Sequence, residues 1–296
     1  MMNKRIAIAS GKGGTGKTTI AANLAYLGAR LDRQVLYVDC DVEAPNGHIF
    51  LKPKTEQRLS ATTPVPQIDS DRCDFCGQCG AFCQYNALLC LPDQVVTFPE
   101  LCHSCGGCSR LCPQQAFSEV PREIGTIEIG AAGGIAFASG LLNIGEAMSP
   151  PLIRALKNTL FESELTIIDA PPGTSCPVIE SIRDCDYTVL VTEPTPFGLN
   201  DLQLAVEMMR ALNQPFGIVI NRSGLDDQPL LDYCQREQLP ILAQLPDDRR
   251  VAEAYSRGEL ACAVLIDFKQ LFATLLAAVG KELQQIQASA TAEVVL

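Results

Sequence analysis

Short apolar runs alternate with amphipathic segments at the start of the chain. Residues 4–9 form an apolar run, residues 11–16 are rich in glycine, and residues 21–31 carry apolar side chains at helical spacing. A second apolar run, 35–38, ends at Asp39. This order predicts a βαβ unit, which implies parallel strands covered by a helix.

The same alternation resumes after about residue 150. It predicts helices at 151–161, 177–183, 198–212, 228–237, 248–256 and 266–287, and strands at 165–169, 187–192, 216–220 and 240–244. Runs such as 165–168 and 218–220 are almost wholly apolar, as expected of strands buried on both faces. Together the two parts predict one doubly wound α/β domain with a mostly parallel sheet.

The pattern breaks between these two parts. Residues 62–122 are rich in Cys, Pro, Gln and Gly and show no long amphipathic helix, and prolines stand near both borders. We therefore predict an inserted module that interrupts the larger domain. The predicted division is a discontinuous domain of residues 1–61 and 123–287, an insertion at 62–122, and a frayed tail at 288–296.

Charge and hydropathy narrow the choice of partners and location. The formal charge of −11 argues against nucleic acid, because phosphate binding needs concentrated Lys and Arg. The apolar stretch at 6–9 is too short for the apolar core of a signal peptide, and no segment approaches the length of a membrane span. We expect a cytoplasmic protein.

Residues 11–18 match the phosphate-loop motif G-x-x-x-x-G-K-[ST] between a predicted strand and a predicted helix. Glycines there let backbone N–H groups surround phosphates, and the helix N-terminus adds partial positive charge. Lys17 is expected to reach the β- and γ-phosphates of ATP, and Thr18 to bind Mg²⁺. The candidate nucleotide-binding residues of this loop are Gly11, Gly13, Gly14, Thr15, Gly16, Lys17, Thr18 and Thr19.

A dinucleotide site is the alternative for the same residues. Gly11, Gly13 and Gly16 also fit G-x-G-x-x-G, and Asp39 stands where a ribose-binding acid would be. A dinucleotide site has no need of the Lys17-Thr18 pair at the helix start, so the phosphate loop is favoured.

Lys12, a second lysine inside the loop, resembles the deviant Walker A motif of the MinD/ParA/Mrp family of ATPases. The resemblance extends to other segments along the chain, namely Asp39-Cys40-Asp41 (switch I), Asp169 to Gly173 (Walker B and switch II), Thr192-Glu193-Pro194, Asn221-Arg222 and Leu245-Pro246-Asp247. It covers most of residues 1–50 and 125–287.

The resemblance implies a role for each matched residue. Lys12 would cross a dimer interface to the partner's nucleotide, the partner being a second copy or a related ATPase. Lys12, Lys17 and Asp41 would be catalytic, with Asp41 orienting the attacking water. Asp169 would hold Mg²⁺ through a water, the Gly173 amide would sense the γ-phosphate, and Asn221, Pro246 and Asp247 would border the adenine. From the residues alone, Asp39 is also explained as a polar strand end and Asn221 as a turn former.

Fourteen cysteines are many for a reducing compartment, where clustered cysteines usually bind metal. Eight of them form two runs with the spacing C-x₂-C-x₂-C-x₃-C, the signature of bacterial ferredoxins with two [4Fe–4S] clusters, in which each fourth cysteine ligates the other cluster. This assigns Cys73, Cys76, Cys79 and Cys112 to cluster 1, and Cys102, Cys105, Cys108 and Cys83 to cluster 2. The insertion is thus expected to be a small α+β ferredoxin-like domain.

Structural zinc is the alternative for the cysteine runs. Zinc sites use paired C-x₂-C motifs, which do not account for two runs of three plus one. Gln84 follows Cys83 where proline is common, which departs from the ferredoxin pattern.

The remaining cysteines divide into two groups. Cys40, Cys90, Cys185, Cys234 and Cys262 stand in apolar surroundings and are expected to be small buried hydrophobes. Cys176 follows switch II at a spacing similar to a cluster ligand of the nitrogenase iron protein, but the segment 131–134 offers no second cysteine. A transient cluster at Cys176 is a hypothesis from this incomplete match.

The resemblance to the MinD/ParA/Mrp family and to the nitrogenase iron protein implies three possible functions for these motifs. The first is an ATPase that helps assemble or transfer iron–sulfur clusters, with a redox or apo iron–sulfur protein as partner. The second is an ATP-gated electron carrier, and the third is a positioning ATPase like MinD with redox-sensing clusters. Residues 266–296 hold only Lys269 and Lys281 as positive charges, which argues against a membrane-binding helix.

Overall fold

The computed structural model describes residues 3–224 and 226–294, with side chains up to residue 288. Its elements, in chain order, are β1 (Lys4–Ala9), α1 (Lys17–Arg30), β2 (Val35–Asp39), α2 (Gly47–Leu51), β3 (Lys54–Ile68), α3 (Gln78–Phe82), β4 (Leu88–Cys90), β5 (Val95–Thr97), a 3₁₀ helix (Pro99–Leu101), α4 (Gly107–Leu111), β6 (Phe117–Ala132), β7 (Ile135–Leu142), α5 (Pro150–Asn158), β8 (Leu165–Asp169), α6 (Cys176–Ile182), β9 (Tyr187–Thr192), α7 (Pro196–Ala211), β10 (Phe216–Ser223), α8 (Gln228–Arg236), β11 (Ile241–Pro246), α9 (Arg249–Ser256), α10 (Ala261–Val264) and α11 (Ile266–Val294).

One large sheet organises the molecule. Its strand order is β11-β10-β9-β1-β8-β2-β7-β6-β3. The strands from β11 to β7 pair in parallel, and β6 and β3 add an antiparallel edge. This confirms the predicted α/β class with a mostly parallel sheet.

The sheet is buried on both faces. Along β1, Ile6 and Ile8 pack into a core with Leu24 of α1, whereas Ala7 packs on the opposite side with Leu152 of α5. Alternate residues of a strand point to opposite faces, so the apolar residues 6–9 of β1 require helices on both sides. The second core is closed mainly by α5, α6, α7 and α8.

Five strands were not predicted from the pattern, namely β3, β4, β5, β6 and β7. The last of these lies well inside the sheet, where it pairs in parallel with β2 and antiparallel with β6. Its sequence, IAFASGLL, is rich in small residues and lacks the β-branched run of the other buried strands. The turn before it uses Gly133 and Gly134 at φ of +54° and +86°, which favour glycine.

A long ribbon formed by β3 and β6 crosses both predicted domain boundaries. Ala61 pairs with Gly125 and Thr62 pairs with Glu123, so Ile124 is left as a bulge. The bulge lies opposite the predicted domain boundary between residues 61 and 62, and next to the predicted boundary between residues 122 and 123. The two parts are therefore joined by paired strands, and the division into domains stays a prediction.

The helix ends differ from the predicted ones by a few residues. The largest difference is at α11, which extends to Val294 and so includes most of the predicted tail. Side chains from residue 289 and residues 295–296 lie outside the described part of the chain. Across the described residues, no helix is long and apolar enough to cross a membrane.

Candidate functional site

Three predicted motifs meet at one edge of the sheet. In β1, β8 and β2, Ile8 pairs with Asp169 and Asp169 pairs with Asp39, so the carboxyl ends of these parallel strands are level. The glycine-rich loop follows β1 directly. Crevices at the carboxyl ends of parallel strands are the usual ligand sites of such sheets.

The glycine-rich loop turns sharply into α1. Gly14 and Gly16 have φ of +81° and +95°, and the helix begins at Lys17. The Asn221 side chain donates a hydrogen bond to the Thr15 carbonyl oxygen at 2.8 Å. Asn221, predicted to border adenine, thus also fixes the loop backbone.

A cavity of about 420 Å³ opens beside this loop. It is lined by ten of the predicted residues, namely Gly13, Gly14, Gly16, Lys17, Thr18, Thr19, Asp41, Asn221, Pro246 and Asp247. Tyr255, Phe268 and Phe272 add aromatic surface that the sequence motifs did not indicate. The predicted residues Gly11, Lys12, Thr15, Asp39, Asp169 and Gly173 are not part of this lining.

Asp169 lies behind the cavity at the end of β8 and is buried. Its Oδ2 accepts a hydrogen bond from Tyr37 at 2.9 Å, and its Oδ1 has no hydrogen-bond partner among the described residues. Burial raises the pKa of Asp169 to about 6, while Thr18 and Tyr37 act in the opposite direction. A buried carboxylate oxygen without a partner beside Thr18 fits a Mg²⁺ hydration shell.

Lys17 and Asp41 both line the cavity and influence each other electrostatically. Burial lowers the pKa of Lys17, although Asp169 and Asp41 oppose this effect. Burial likewise raises the pKa of Asp41, and Lys17 opposes it. A desolvated ammonium held between carboxylates is suited to a strong charge interaction with a phosphate.

Asp39 has a structural role that the motif did not reveal. Its carboxylate accepts hydrogen bonds from the backbone N–H groups of Asp41, Asn46 and Gly47 at 3.2, 3.0 and 2.8 Å. Because Asp39 is fully buried, it shapes the loop that presents Asp41 to the cavity.

The Gly173 amide is already hydrogen-bonded within the chain. It donates a hydrogen bond to the Ser10 carbonyl oxygen at 3.0 Å, and Gly173 has φ of +101°. The predicted contact with a γ-phosphate would require this bond to break, so the role of Gly173 stays a prediction.

Comparison with known proteins identifies the fold and the family. A model of the CobQ/CobB/MinD/ParA nucleotide binding domain matches residues 6–261. The chain belongs to this family. Within it, an uncharacterized protein of Methanocaldococcus jannaschii is 34% identical over 87% of this chain and 90% of its own length.

Two other similar proteins have names that state a function. An iron-sulfur cluster carrier protein of Aquifex aeolicus is 26% identical over 86% of this chain and 60% of its own length. The septum site-determining protein MinD of Pyrococcus horikoshii, solved in complex with Mg-ADP, has a TM-score of 0.59 at 20% identity, covering 94% of this chain and 96% of that chain. The MinD structure supports the same P-loop fold.

In this member of the CobQ/CobB/MinD/ParA family, Lys12 makes an ion pair within its own chain. Its Nζ lies 3.7 Å from Glu193 Oε2, while Glu193 Oε1 accepts a hydrogen bond from Arg222 at 2.9 Å. The pair brings together the loop after β1 and the segments that follow β9 and end β10. Sequence motifs placed Glu193 and Arg222 in the family pattern but gave them no partner.

Replacing Glu193 by Gln should promote ATP-dependent self-association. If Lys12 acts across a dimer, its pairing with Glu193 must be given up on closure, which opposes dimer formation. Partly exposed ion pairs contribute up to about 1 kcal/mol, so we expect dimer formation at ATP concentrations about two- to fivefold lower. Analytical ultracentrifugation with ATP measures this.

Glu237→Gln is the matched control, because Glu237 pairs with Arg210 at 2.9 Å near the ends of α7 and α8. Weaker association of the Glu193 variant would contradict the prediction and place Glu193 in the interface itself.

Gly11→Ala should prevent the loop from packing. A Cβ at Gly11 would overlap the backbone carbonyl of Asp201 in α7 and lie 2.6 Å from its carbonyl carbon. A backbone atom cannot move aside like a flexible side chain, so we expect a loss of about 1–3 kcal/mol in the free energy of unfolding. Urea denaturation measures it.

Gly13→Ala is the control in the same loop. The nearest atom to a Cβ there is 4.0 Å away in Pro172, and we expect near wild-type stability. Equal stability of the two variants would show that the contact with Asp201 is not rigid.

The cysteine-rich segment repeats its backbone conformation after 29 residues. Cys73 is followed by left-handed conformations at Phe75 and Gly77, and Cys102 by the same conformations at Ser104 and Gly106. The N–H groups of Phe75 and Ser104 donate to the Sγ atoms of Cys73 and Cys102, each at 3.4 Å. Short helices, α3 and α4, then carry the third cysteine of each run.

Four cysteines from the two runs line a second cavity, of about 250 Å³. They are Cys83, Cys102, Cys105 and Cys108, the four residues assigned to cluster 2. Cys112 is absent from this lining although it belongs to the same run as three of them. The cavity also borders Pro64 and Glu119 of the β3–β6 ribbon.

The four cysteines assigned to cluster 1 do not line this cavity. The Cys112 Sγ accepts a hydrogen bond from the Ala116 N–H at 3.4 Å, and Cys79 contacts Cys90. In the part of the chain that the structure describes, no three His, Cys, Asp or Glu side chains converge around a point that could hold a single metal ion. A [4Fe–4S] cluster binds its thiolates on four separate irons, so its ligands surround a volume instead.

Proposed function

We propose that this chain is an ATP-hydrolysing iron–sulfur protein in which nucleotide-dependent dimer closure controls a two-cluster ferredoxin module, for the assembly or transfer of iron–sulfur clusters. The observation that carries it is the cavity lined by Cys83, Cys102, Cys105 and Cys108, joined by one ribbon to the sheet that bears the phosphate loop.

Membership of a nucleotide-binding family and the cavity beside Lys17 support the ATPase part. The Mg-ADP bound by the Pyrococcus MinD is the ligand expected here. Lys17 would neutralise the phosphates, while Thr18 and the free Oδ1 of Asp169 would hold Mg²⁺ and its water. Asp41, which lines the cavity, would orient the attacking water.

Cysteine geometry supports the cluster part. Three backbone amides donate to cysteine sulfurs, those of Phe75, Ser104 and Ala116, an arrangement that stabilises cluster thiolates and tunes their potential. The cluster part is also supported by the similarity to the iron-sulfur cluster carrier protein of Aquifex, of which the alignment covers 60%.

Contacts of the switch I loop support a coupling between the two parts. Val42 directly follows Asp41, and its carbonyl oxygen accepts a hydrogen bond from the Leu142 N–H at 2.8 Å. The next residue, Asn143, donates its N–H to the Ile124 carbonyl oxygen at 3.0 Å. Movement of Asp41 on nucleotide binding would therefore pull on the bulge where the ribbon leaves the sheet.

Anaerobic purification and reconstitution test the proposal as a whole. Two [4Fe–4S] clusters hold about eight irons per chain. We expect ATP hydrolysis and faster cluster transfer to an apo-ferredoxin with ATP than with ADP or no nucleotide. Electron transfer to an acceptor without cluster loss would favour an ATP-gated carrier instead, and a chain without iron would overturn the cluster part.

Glu146→Gln should uncouple nucleotide from clusters while sparing hydrolysis. Arg122, at the bulge, donates two hydrogen bonds to Glu146, one of them from Nη2 at 2.8 Å, and both side chains are largely buried. We expect a several-fold smaller effect of ATP on transfer, at an unchanged ATPase rate.

Glu128→Gln is the control on the same ribbon, because Glu128 pairs with Arg58 at 2.8 Å on an exposed face. An ATP effect equally large in wild type and the Glu146 variant would exclude this route.

A further inference from the structure

Cys90 lies against a predicted cluster ligand. Its Sγ is 3.4 Å from the Sγ of Cys79, and it ends strand β4 beside helix α3. The sequence pattern had assigned Cys90 to the small buried hydrophobes, but it is only partly buried. The two thiols are therefore in direct contact, and one of them stands at a predicted ligand position.

The close approach depends on a glycine. A Cβ at Gly80 would lie 2.8 Å from the Cys90 Sγ. Any other residue at position 80 would therefore displace this sulfur from α3. Because Gly80 has no side chain, the Cys90 sulfur can contact Cys79, the preceding residue of α3.

The matching position in the other half of the repeat is not a thiol. Moving 29 residues along the chain relates Cys79 to Cys108 and Cys90 to Glu119. Glu119 lines the cavity of cluster 2 together with Cys108. Position 90 and position 119 thus both border a predicted cluster, and only the first offers a sulfur.

We propose that Cys90 is a fifth thiol ligand of cluster 1, which can take over the iron held by Cys79. This inference rests on the proposed function, since it requires the cluster. In the exchange, the bond from iron to Cys79 sulfur breaks, a bond from iron to Cys90 sulfur forms, and one proton passes from the Cys90 thiol to the Cys79 thiolate. No electron is transferred, and the sulfur that arrives starts 3.4 Å from the one that leaves.

Alanine variants of the full chain, reconstituted anaerobically, test the proposal. Cys79→Ala should keep about eight irons per chain, because Cys90 replaces the missing ligand. Cys79→Ala combined with Cys90→Ala should keep about four. Cys108→Ala, the equivalent change in the other run, should also keep about four as a single variant, since Glu119 supplies no thiolate.

Electron paramagnetic resonance of the reduced proteins provides a second measurement. The signal of cluster 1 should persist in Cys79→Ala with altered g values and disappear in the double variant. In the cluster-free chain, a short bifunctional thiol reagent should join Cys79 to Cys90, as mass spectrometry of the peptides would show, which confirms their contact without any cluster.

A drop to about four irons in Cys79→Ala alone would overturn the role of Cys90 while leaving the clusters in place. A wild-type chain that binds no iron would overturn the proposed clusters and this inference together. Circular dichroism of each variant separates loss of a cluster from loss of the fold.

Discussion

Replacing Lys17 by alanine is expected to abolish ATP hydrolysis and to weaken nucleotide binding. Lys17 is the first residue of α1, is largely buried, and lines the same cavity as Asp41. Without its charge, the cavity loses the lysine that opposes the negative charge of Asp41 and of the buried Asp169 when phosphates bind. Loss of one preorganised charge in such a site costs about 10²–10³-fold in rate. Phosphate release and fluorescent-nucleotide titration measure the two effects.

Lys12→Ala in the same loop is the informative control. Lys12 is outside the cavity lining and pairs with Glu193. We therefore expect its variant to bind nucleotide normally but to fail in ATP-dependent dimerisation and in hydrolysis. Normal hydrolysis by Lys17→Ala would contradict the phosphate-loop assignment, and normal dimerisation by Lys12→Ala would contradict a role across the interface.

The parallel part of the fold was predictable because its strands are continuous apolar runs that end in polar residues. β1, β8 and β9 fall where the pattern places them. The strand β7 escaped prediction, since small residues such as Ala136, Ala138 and Gly140 give no strong strand signal. Gly140 shows the reason for such residues: a Cβ there would lie 2.8 Å from Val42, in the loop that carries switch I.

Local motifs predicted the site better than they predicted its supporting contacts. The spacing of residues 11–18 located the phosphate loop, because the chemistry lies within consecutive residues. Tyr37, which holds Asp169, is 132 positions away from it in sequence, and Glu193 approaches Lys12 from another strand. Contacts of this kind depend on strand order, which no local pattern specifies.

The largest effect on iron content is expected from pairs of cysteine variants, because these reveal which thiols share a cluster. The assignment places Cys83 with Cys102 although they come from different runs, and both line the same cavity. Cys83→Ala combined with Cys102→Ala should therefore damage a single cluster and leave about four irons per chain. Cys83→Ala combined with Cys73→Ala should damage both clusters and leave almost none.

The alternative assignment, in which each run holds its own cluster, predicts the reverse pattern of iron loss. If each run held its own cluster, Cys73 and Cys83 would belong together, and that pair would keep about four irons while the pair of Cys83 and Cys102 would lose all. Cys112→Ala with Cys73→Ala is the mirror-image control and should again keep about four irons.

Because Cys112 is absent from the cavity that holds the other cysteines of its run, we expect the crossed assignment, in which both clusters tie the two halves of the repeat together. Removal of iron should then loosen the whole segment between β3 and β6, which proteolysis of the cluster-free chain would detect as preferential cleavage there.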